Sequence, residues 1–168
     1  MSPFTASTDP VQSLYDADFH AWAMAQAQLL RQGRFSEADI AHIAEEIEDL
    51  GNEQIRALAS AMRNVLVHLS LLRFSPATDP RAHWAGEIAN FRIALDDRLD
   101  GSPSLRRHLH GLVPKEWKRA RRIATLKLGE EMKLIGELPK ESPFTLEEIM
   151  DDDFFPAFSA EASGRRRS

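Results

Sequence analysis

One stretch, Ser36 to Phe74, constrains the fold more than any other: SEADIAHIAEEIEDLGNEQIRALASAMRNVLVHLSLLRF. Apolar residues recur in it at Ile55, Leu58, Met62, Val65, Leu69 and Leu72. Steps of three and four are those of a helix that buries one stripe. The spacing also runs upstream through Ile40, Ile43, Ile47 and Leu50, but the register slips before Ile55. A straight helix over the whole stretch would be roughly 55 Å long at 1.5 Å per residue. A compact globule of this chain length has a diameter of roughly 40 Å. Gly51-Asn52 places a helix-ending and a helix-capping residue at the slip. The pattern therefore predicts a kink or short break at Gly51.

The same stretch concentrates charge. Glu37, Asp39, Glu45, Glu46, Glu48, Asp49 and Glu53 precede its first base, Arg56. Like charges four apart, such as Glu45 and Asp49, cost roughly 0.2–0.5 kcal/mol each on an isolated helix. The complement lies between Arg106 and Lys127, where eight bases accompany a single acid, Glu116. Internal neutralisation is the expectation, with Arg92 and Arg121 pairing with Glu45, Glu46 or Asp49. A basic protein partner or a metal are the other readings of the patch.

Helical punctuation recurs along the chain. Asp9-Pro10 reads as a cap with proline in the first turn. Phe19, Trp22, Gln26 and Leu30 then keep helical spacing to Gly33, predicting one helix over about 10–32. Ser36 with Asp39 resembles a capping box for the next helix. Asp79-Pro80 repeats the cap-and-proline device, and Trp84, Ile88, Phe91, Leu95 and Leu99 follow as a stripe with Arg92 on its edge. Ser102-Pro103 opens a short helix. Pro114 opens another that runs to Leu128 and carries Trp117, Ala120 and Ala124 on one side. Thr145 and Glu148 form a regular capping box. No stretch alternates as a strand does, and no repeat recurs at solenoid spacing. The fold class is all-α: one helical bundle over 10–156 of about five main helices plus short ones. A loose arm (1–9) and a disordered basic tail (157–168) flank it. Trp22, Ile47, Leu58, Met62, Leu66, Trp84, Ile88 and Trp117 are its expected core.

Candidate chemistry is sparse. The chain has no cysteine, which excludes disulfides, thiol nucleophiles and thiolate zinc sites. No phosphate loop, serine elbow or dinucleotide fingerprint is present. His42/Glu46 and His83/Glu87 are spaced four apart and could contribute to a metal site between helices. The di-iron spacing of Glu-x-x-His is absent, and Asp39-x-x-His42 comes nearest to it. His68 lies within VLVHLSLL, where a packed, hydrogen-bonded histidine is the expectation. No cofactor is expected. A net charge of −5 argues against a general nucleic-acid binder, although the bases of Lys115–Arg122 could contact phosphates. The start lacks a signal-peptide pattern and no apolar run approaches a membrane span, so the expected location is the cytoplasm, away from membranes.

The order DFHAWAMAQAQLLRQGRF, DIAHIAEEIEDLG, HLSLLRFSP, a Trp-led helix, SPSLRRHL, the WKRAR helix and SPFTLEEIMDDDFFP resembles the bacterial domain-of-unknown-function family twenty-nine. The resemblance spans roughly residues 15–156. Positions that carry it include Asp18, Trp22, Glu45, Glu46, Gly51, His68, Arg92, Arg121 and Pro156. Leu71 and Lys127 depart from its pattern, and His42 and His83 match no motif of it. What the resemblance implies is one α-helical domain with no assigned activity and no catalytic residues to transfer. The remaining expectation is a non-enzymatic interaction or regulatory module. It would bind an unknown protein partner or a second copy of itself through Glu45, Glu46, Glu48, Asp49 and Glu53, with His68, Arg92 and Arg121 nearby. A metal-binding or hydrolytic bundle using these acids and histidines is the alternative, and nucleic-acid binding through 115–122 a second.

Overall fold

A computed structural model describes residues 10–159. The arm over 1–9, the Asp9 cap and the tail from 160 onward lie outside the described residues. Those described contain seven α-helices and no strand: α1 Pro10–Ala17, α2 Phe19–Arg31, α3 Ile40–Phe74, α4 Arg81–Gly101, α5 Leu109–Leu128, α6 Met132–Ile135 and α7 Leu146–Met150. Short 3₁₀ turns cover Phe35–Glu37, Pro103–His108 and Gly129–Glu131. The chain divides into two compact units, one ending at Asn52 and the other beginning at Glu53. The expected bundle over 10–156 is therefore described in two parts.

In the first unit, the single helix expected over 10–32 is two helices. Asp18 interrupts it with extended backbone, and its carboxylate accepts a hydrogen bond from the Ala21 N–H at 3.0 Å. An aspartate offers the backbone this alternative to helix continuation, so it starts α2 afresh. Gly33 ends α2 with φ +71°, the left-handed conformation that closes helices at low cost. The expected cap at Ser36 is displaced. Ser36 lies inside the 3₁₀ turn, and Asp39 caps α3 instead, its Oδ1 accepting from the His42 N–H at 3.3 Å.

Helix α3 runs through Gly51 without the expected break. At 35 residues it is roughly 52 Å long. A glycine inside a helix costs only about 1 kcal/mol relative to alanine, far less than the burial gained downstream. From Leu58 to Phe74 the helix is buried on nearly every side, the mark of a central core helix. By length and composition alone, α3 over Ile40–Phe74 is long and apolar enough to cross a membrane, a test that a buried core helix also passes, and 61% of the qualifying window is buried inside the protein.

Around α3, the second unit packs Ile88, Leu95 and Leu99 of α4 and Leu112, Trp117, Ala120, Ala124 and Leu128 of α5. Helix α4 begins at Arg81 with no side-chain cap from Asp79; the Pro80 carbonyl accepts the Trp84 N–H at 3.0 Å. Helix α5 starts five residues before Pro114 and continues through it. The Thr145–Glu148 capping box of α7 forms in both directions. Of the expected core, Trp22, Leu58, Met62, Leu66, Ile88 and Trp117 are buried and Trp84 is half-buried. Ile47 is the exception: it is solvent-exposed.

Candidate interaction surface

The first unit joins α1 and α2 to the start of α3 through one aromatic and polar cluster. The Tyr15 hydroxyl donates to Glu46 Oε1 at 2.6 Å. Its ring stacks on His42 with centroids 4.1 Å apart, and meets Trp22 edge-on at 4.8 Å. The His42 ring Nδ1–H donates to Asp39 Oδ2 at 2.6 Å, while the Asp39 backbone N–H donates to the buried Gln26 side chain at 2.8 Å. These contacts tie the cap of α3 to the middle of α2.

Asp39, His42 and Tyr15 are each shifted by a neighbour. Asp39 holds His42 above the ordinary histidine value, against the opposing effect of desolvation. Burial pushes the Asp39 carboxyl up, but hydrogen bonds from the His42 ring and backbone outweigh it and the group stays below its usual range. The hydrogen bond to Glu46, reinforced by burial, pushes the Tyr15 hydroxyl up to about 12. The spacing Asp39-x-x-His42, first read against a metal pattern, is thus a cap and an ion pair. His42 is engaged by Asp39 and Glu46 by Tyr15. On α4, His83 is exposed and Glu87 half-buried. Among the described residues no three His, Asp or Glu side chains converge on a metal position.

The other face of this segment is different. Ile40, Ile47 and Leu50 are 52%, 63% and 69% exposed, on one heptad stripe of α3. Glu45, Glu48 and Asp49, roughly 120–180° around the helix from that stripe at 100° per residue, are exposed and make no ion pair among the described residues. Glu53 is bound within its own helix by Arg56 at 2.9 Å. Arg92 and Arg121, the expected partners of these acids, lie in the second unit and bond there to backbone carbonyls, Arg121 also to Glu137. Arg92 is fully buried; it donates to Ile149 O and Glu148 O at 2.9 Å and to Phe154 O at 3.0 Å, with its Cζ 5.3 Å from the Phe155 ring centre. Arg121 donates to Leu138 O at 2.9 Å, beside the Trp117 Nε1–H bond to Pro139 O at 3.2 Å, and pairs loosely with Glu137 at 3.6 Å. Arginine suits this task because its planar fork carries five donors and keeps its charge.

His68 sits in the second unit, its Nδ1–H donating to Asn64 O at 2.8 Å and its ring stacked on Phe91. Burial lowers its proton affinity below the ordinary value, which keeps the imidazole neutral at pH 7. Two further residues were not singled out in the sequence. Tyr15 gave no signal, since a lone tyrosine near a helix end has many uses. Glu116 did give one: it falls midway between Leu112 and Ala120 on the apolar stripe of α5. It is buried, and its two oxygens each accept from a guanidinium at 2.6 Å, Arg63 of α3 and Arg119. The outer face of α5 bears Lys115, Lys118 and Arg122, and these and Lys127 near its end are exposed and make no ion pair among the described residues.

The family model described as Domain of unknown function DUF29 matches residues 14–155. No curated protein and no solved structure matches the chain. The match spans most of the sequence, and the chain belongs to the DUF29 family.

Proposed function

We propose that this member of the DUF29 family is a protein-interaction module, and that the start of α3 is its contact surface. One observation carries the reading: a helical stripe of three large aliphatic side chains, Ile40, Ile47 and Leu50, stands in solvent. A monomer gains nothing from exposing aliphatic side chains at helical spacing, whereas a docked helix or groove would bury them. The acids on the other side of the helix raise the rate of encounter with a basic partner. The complementary surface is therefore apolar at its centre. The hydrolytic alternative has less support, because His42 and Glu46 are already satisfied by Asp39 and Tyr15.

Charge reversal tests the reading, and the geometry selects the positions. Glu46 is excluded because reversing it would break the bond from Tyr15. The triple variant Glu45→Lys, Glu48→Lys, Asp49→Lys changes only exposed side chains. Native and variant chains, tagged and incubated with an extract of the native host, are compared for stoichiometric partners at equal helicity. A partner retained by the native chain and lost from the variant supports the module. Equal recovery by both removes the surface from consideration.

A further inference from the structure

We infer that the groove between α3 and α4 in the second unit binds a small monocarboxylate, with Arg98 holding its charge and the neighbouring alanines its apolar arm. The site is built entirely from residues after Asn52, so it stands or falls independently of the surface at the start of α3. Two cavities meet at Arg98. One, of about 430 Å³, has Ala57, Ala61, Asn64, Phe91, Ala94 and Arg98 in its walls. The other, of about 480 Å³, shares Ala94 and Arg98 and adds Gln54, Asp97 and Ser102. Spaces of this size suit a small organic ligand.

The guanidinium is what points to a ligand. Arg98 is half-buried, and its Nε is buried with no hydrogen-bond partner. Buried donors are nearly always paired, so an unpaired one in a native fold needs a reason. Elsewhere in the same unit Arg63, Arg81, Arg92, Arg119 and Arg121 each meet a carboxylate or a carbonyl. Arg98 makes no ion pair among the described residues, although acids flank it in sequence. Asp100 is taken by Arg106 at 3.2 Å, and Asp97 stays without a cation.

Charge and shape narrow the ligand. One guanidinium takes one carboxylate, edge to edge through two N–H groups. Glu53 lines one cavity and Asp97 the other, so a second negative charge on the ligand would be repelled from both sides. Ala57, Ala61 and Ala94 are small enough to leave room for a branched aliphatic arm beside Arg98. Ser60 and Asn64 add hydrogen-bonding groups for an amide next to the carboxylate. A short aliphatic acid and the C-terminal residue of a peptide share this chemistry, and the test separates them.

The whole chain, labelled with nitrogen-15, is titrated with hexanoate, N-acetyl-leucine, N-acetyl-leucinamide and inorganic phosphate. NMR follows the Arg98 Nε–H and the amides of Ala57, Ala61 and Ala94. The two carboxylates should shift these resonances saturably, with a dissociation constant of about 1 mM for one charge-assisted contact and a small apolar arm. N-acetyl-leucinamide keeps the arm without the charge and should bind about tenfold more weakly or worse. Arg98→Gln should abolish the shifts at the alanines with circular dichroism unchanged. If that variant misfolds, Ala57→Leu fills the cavity, leaves the guanidinium in place and should weaken N-acetyl-leucine by about tenfold. Hexanoate binding as tightly as N-acetyl-leucine, or more tightly, supports the site with a free acid as its ligand. Tighter binding of N-acetyl-leucine supports it with a peptide end. No saturable shift at about ten times the expected constant, equal binding of the amide, tighter binding of phosphate, or binding unaltered by these substitutions overturns the inference.

Discussion

Replacing Arg92 by methionine should release the end of the second unit. Arg92 has no exposed surface, and its guanidinium gathers carbonyls from three places: Glu148 and Ile149 at 2.9 Å and Phe154 at 3.0 Å. Hydrogen bonds involving a charged group contribute roughly 1.5–3 kcal/mol each. Three would sum to more than the residue can contribute, because a buried guanidinium forfeits several kcal/mol of hydration. The net loss on truncation is therefore about 3–5 kcal/mol, the usual cost of removing one partner from a buried charged network. Methionine keeps most of the volume, so packing loss is a minor part. For a chain of this size the midpoint of thermal unfolding falls by about 2–4 °C per kcal/mol, giving a drop of roughly 10 °C.

Hydrogen exchange reads the same substitution locally. The Asp151 N–H bonds to Glu147 O at 2.9 Å and the Phe154 N–H to Asp151 O at 3.1 Å. In Arg92→Met these amides should exchange far faster than those of α4 itself. Arg92→Lys keeps the charge but presents a single ammonium that cannot span the three carbonyls, so it should rescue only part of the protection. A loss below about 1 kcal/mol, or full protection of residues 151–154 in the methionine variant, would refute the view that Arg92 pins this segment.

Three other outcomes follow, two from the first unit and one from the second. Gly51 is exposed, lies inside α3 and has nothing within 4 Å of a built Cβ, so Gly51→Ala should stabilise the chain by about 0.5–1 kcal/mol, seen as a higher urea midpoint; a lower midpoint would mean that Gly51 is needed for something other than helix continuity. His42 should titrate above 6.5 by NMR because of Asp39, and Asp39→Asn should bring it back. A raised folded pKa means that the stability from the pair is complete below the unfolded value near 6.5 and is lost as pH rises through the folded value. Amide protection in α2 should accordingly decline from slightly acidic to slightly alkaline pH, and no decline would show that the pair does not brace the unit. His68 has the opposite sign: burial lowers it, so its contribution is lost as pH falls below about 6.5.

What the sequence made legible was periodicity and punctuation. Steps of three and four located α3, α4 and α5, and the residues in phase with them, such as Leu58, Met62, Ile88 and Trp117, are buried. The Thr145–Glu148 box was readable because both of its bonds are local. Arg92 was misread because its partners lie 56 to 62 positions away and are carbonyls, which no side-chain pattern marks. A basic residue at the edge of an apolar stripe looks like half of an ion pair, yet the last carbonyls of a helix such as α7 and those of the loop after it are orphan acceptors that an arginine can satisfy. Asp18 was misread for the converse reason. Apolar spacing continues across it, so periodicity alone joined α1 and α2, while the local bond to Ala21 that separates them is the kind of signal a single aspartate gives only weakly.

Helix α3 sets the limit of that legibility within one element. Its two halves share a period, and on a helix of 100° per residue their apolar stripes differ in direction by only about 50°. The later half is covered by α4 and α5, and residues such as Leu66 and Leu69 lose all contact with water. The earlier half keeps Ile47 and Leu50 exposed, with Glu45 and Asp49 repelling one another at four-residue spacing and no cation recorded opposite either. Periodicity says that a face is to be buried; it does not say by what. Where the covering element belongs to the same unit, folding settles the question, and the expectation for Leu58 holds. At Ile47 nothing within the first unit covers the side chain, and the expectation fails in the way a contact surface would make it fail. The exposed isoleucine and the unneutralised acids lie on different sides of α3, the acids roughly 120–180° around the helix from the aliphatic stripe at 100° per residue, so hydrophobicity and charge mark two faces of the same turns.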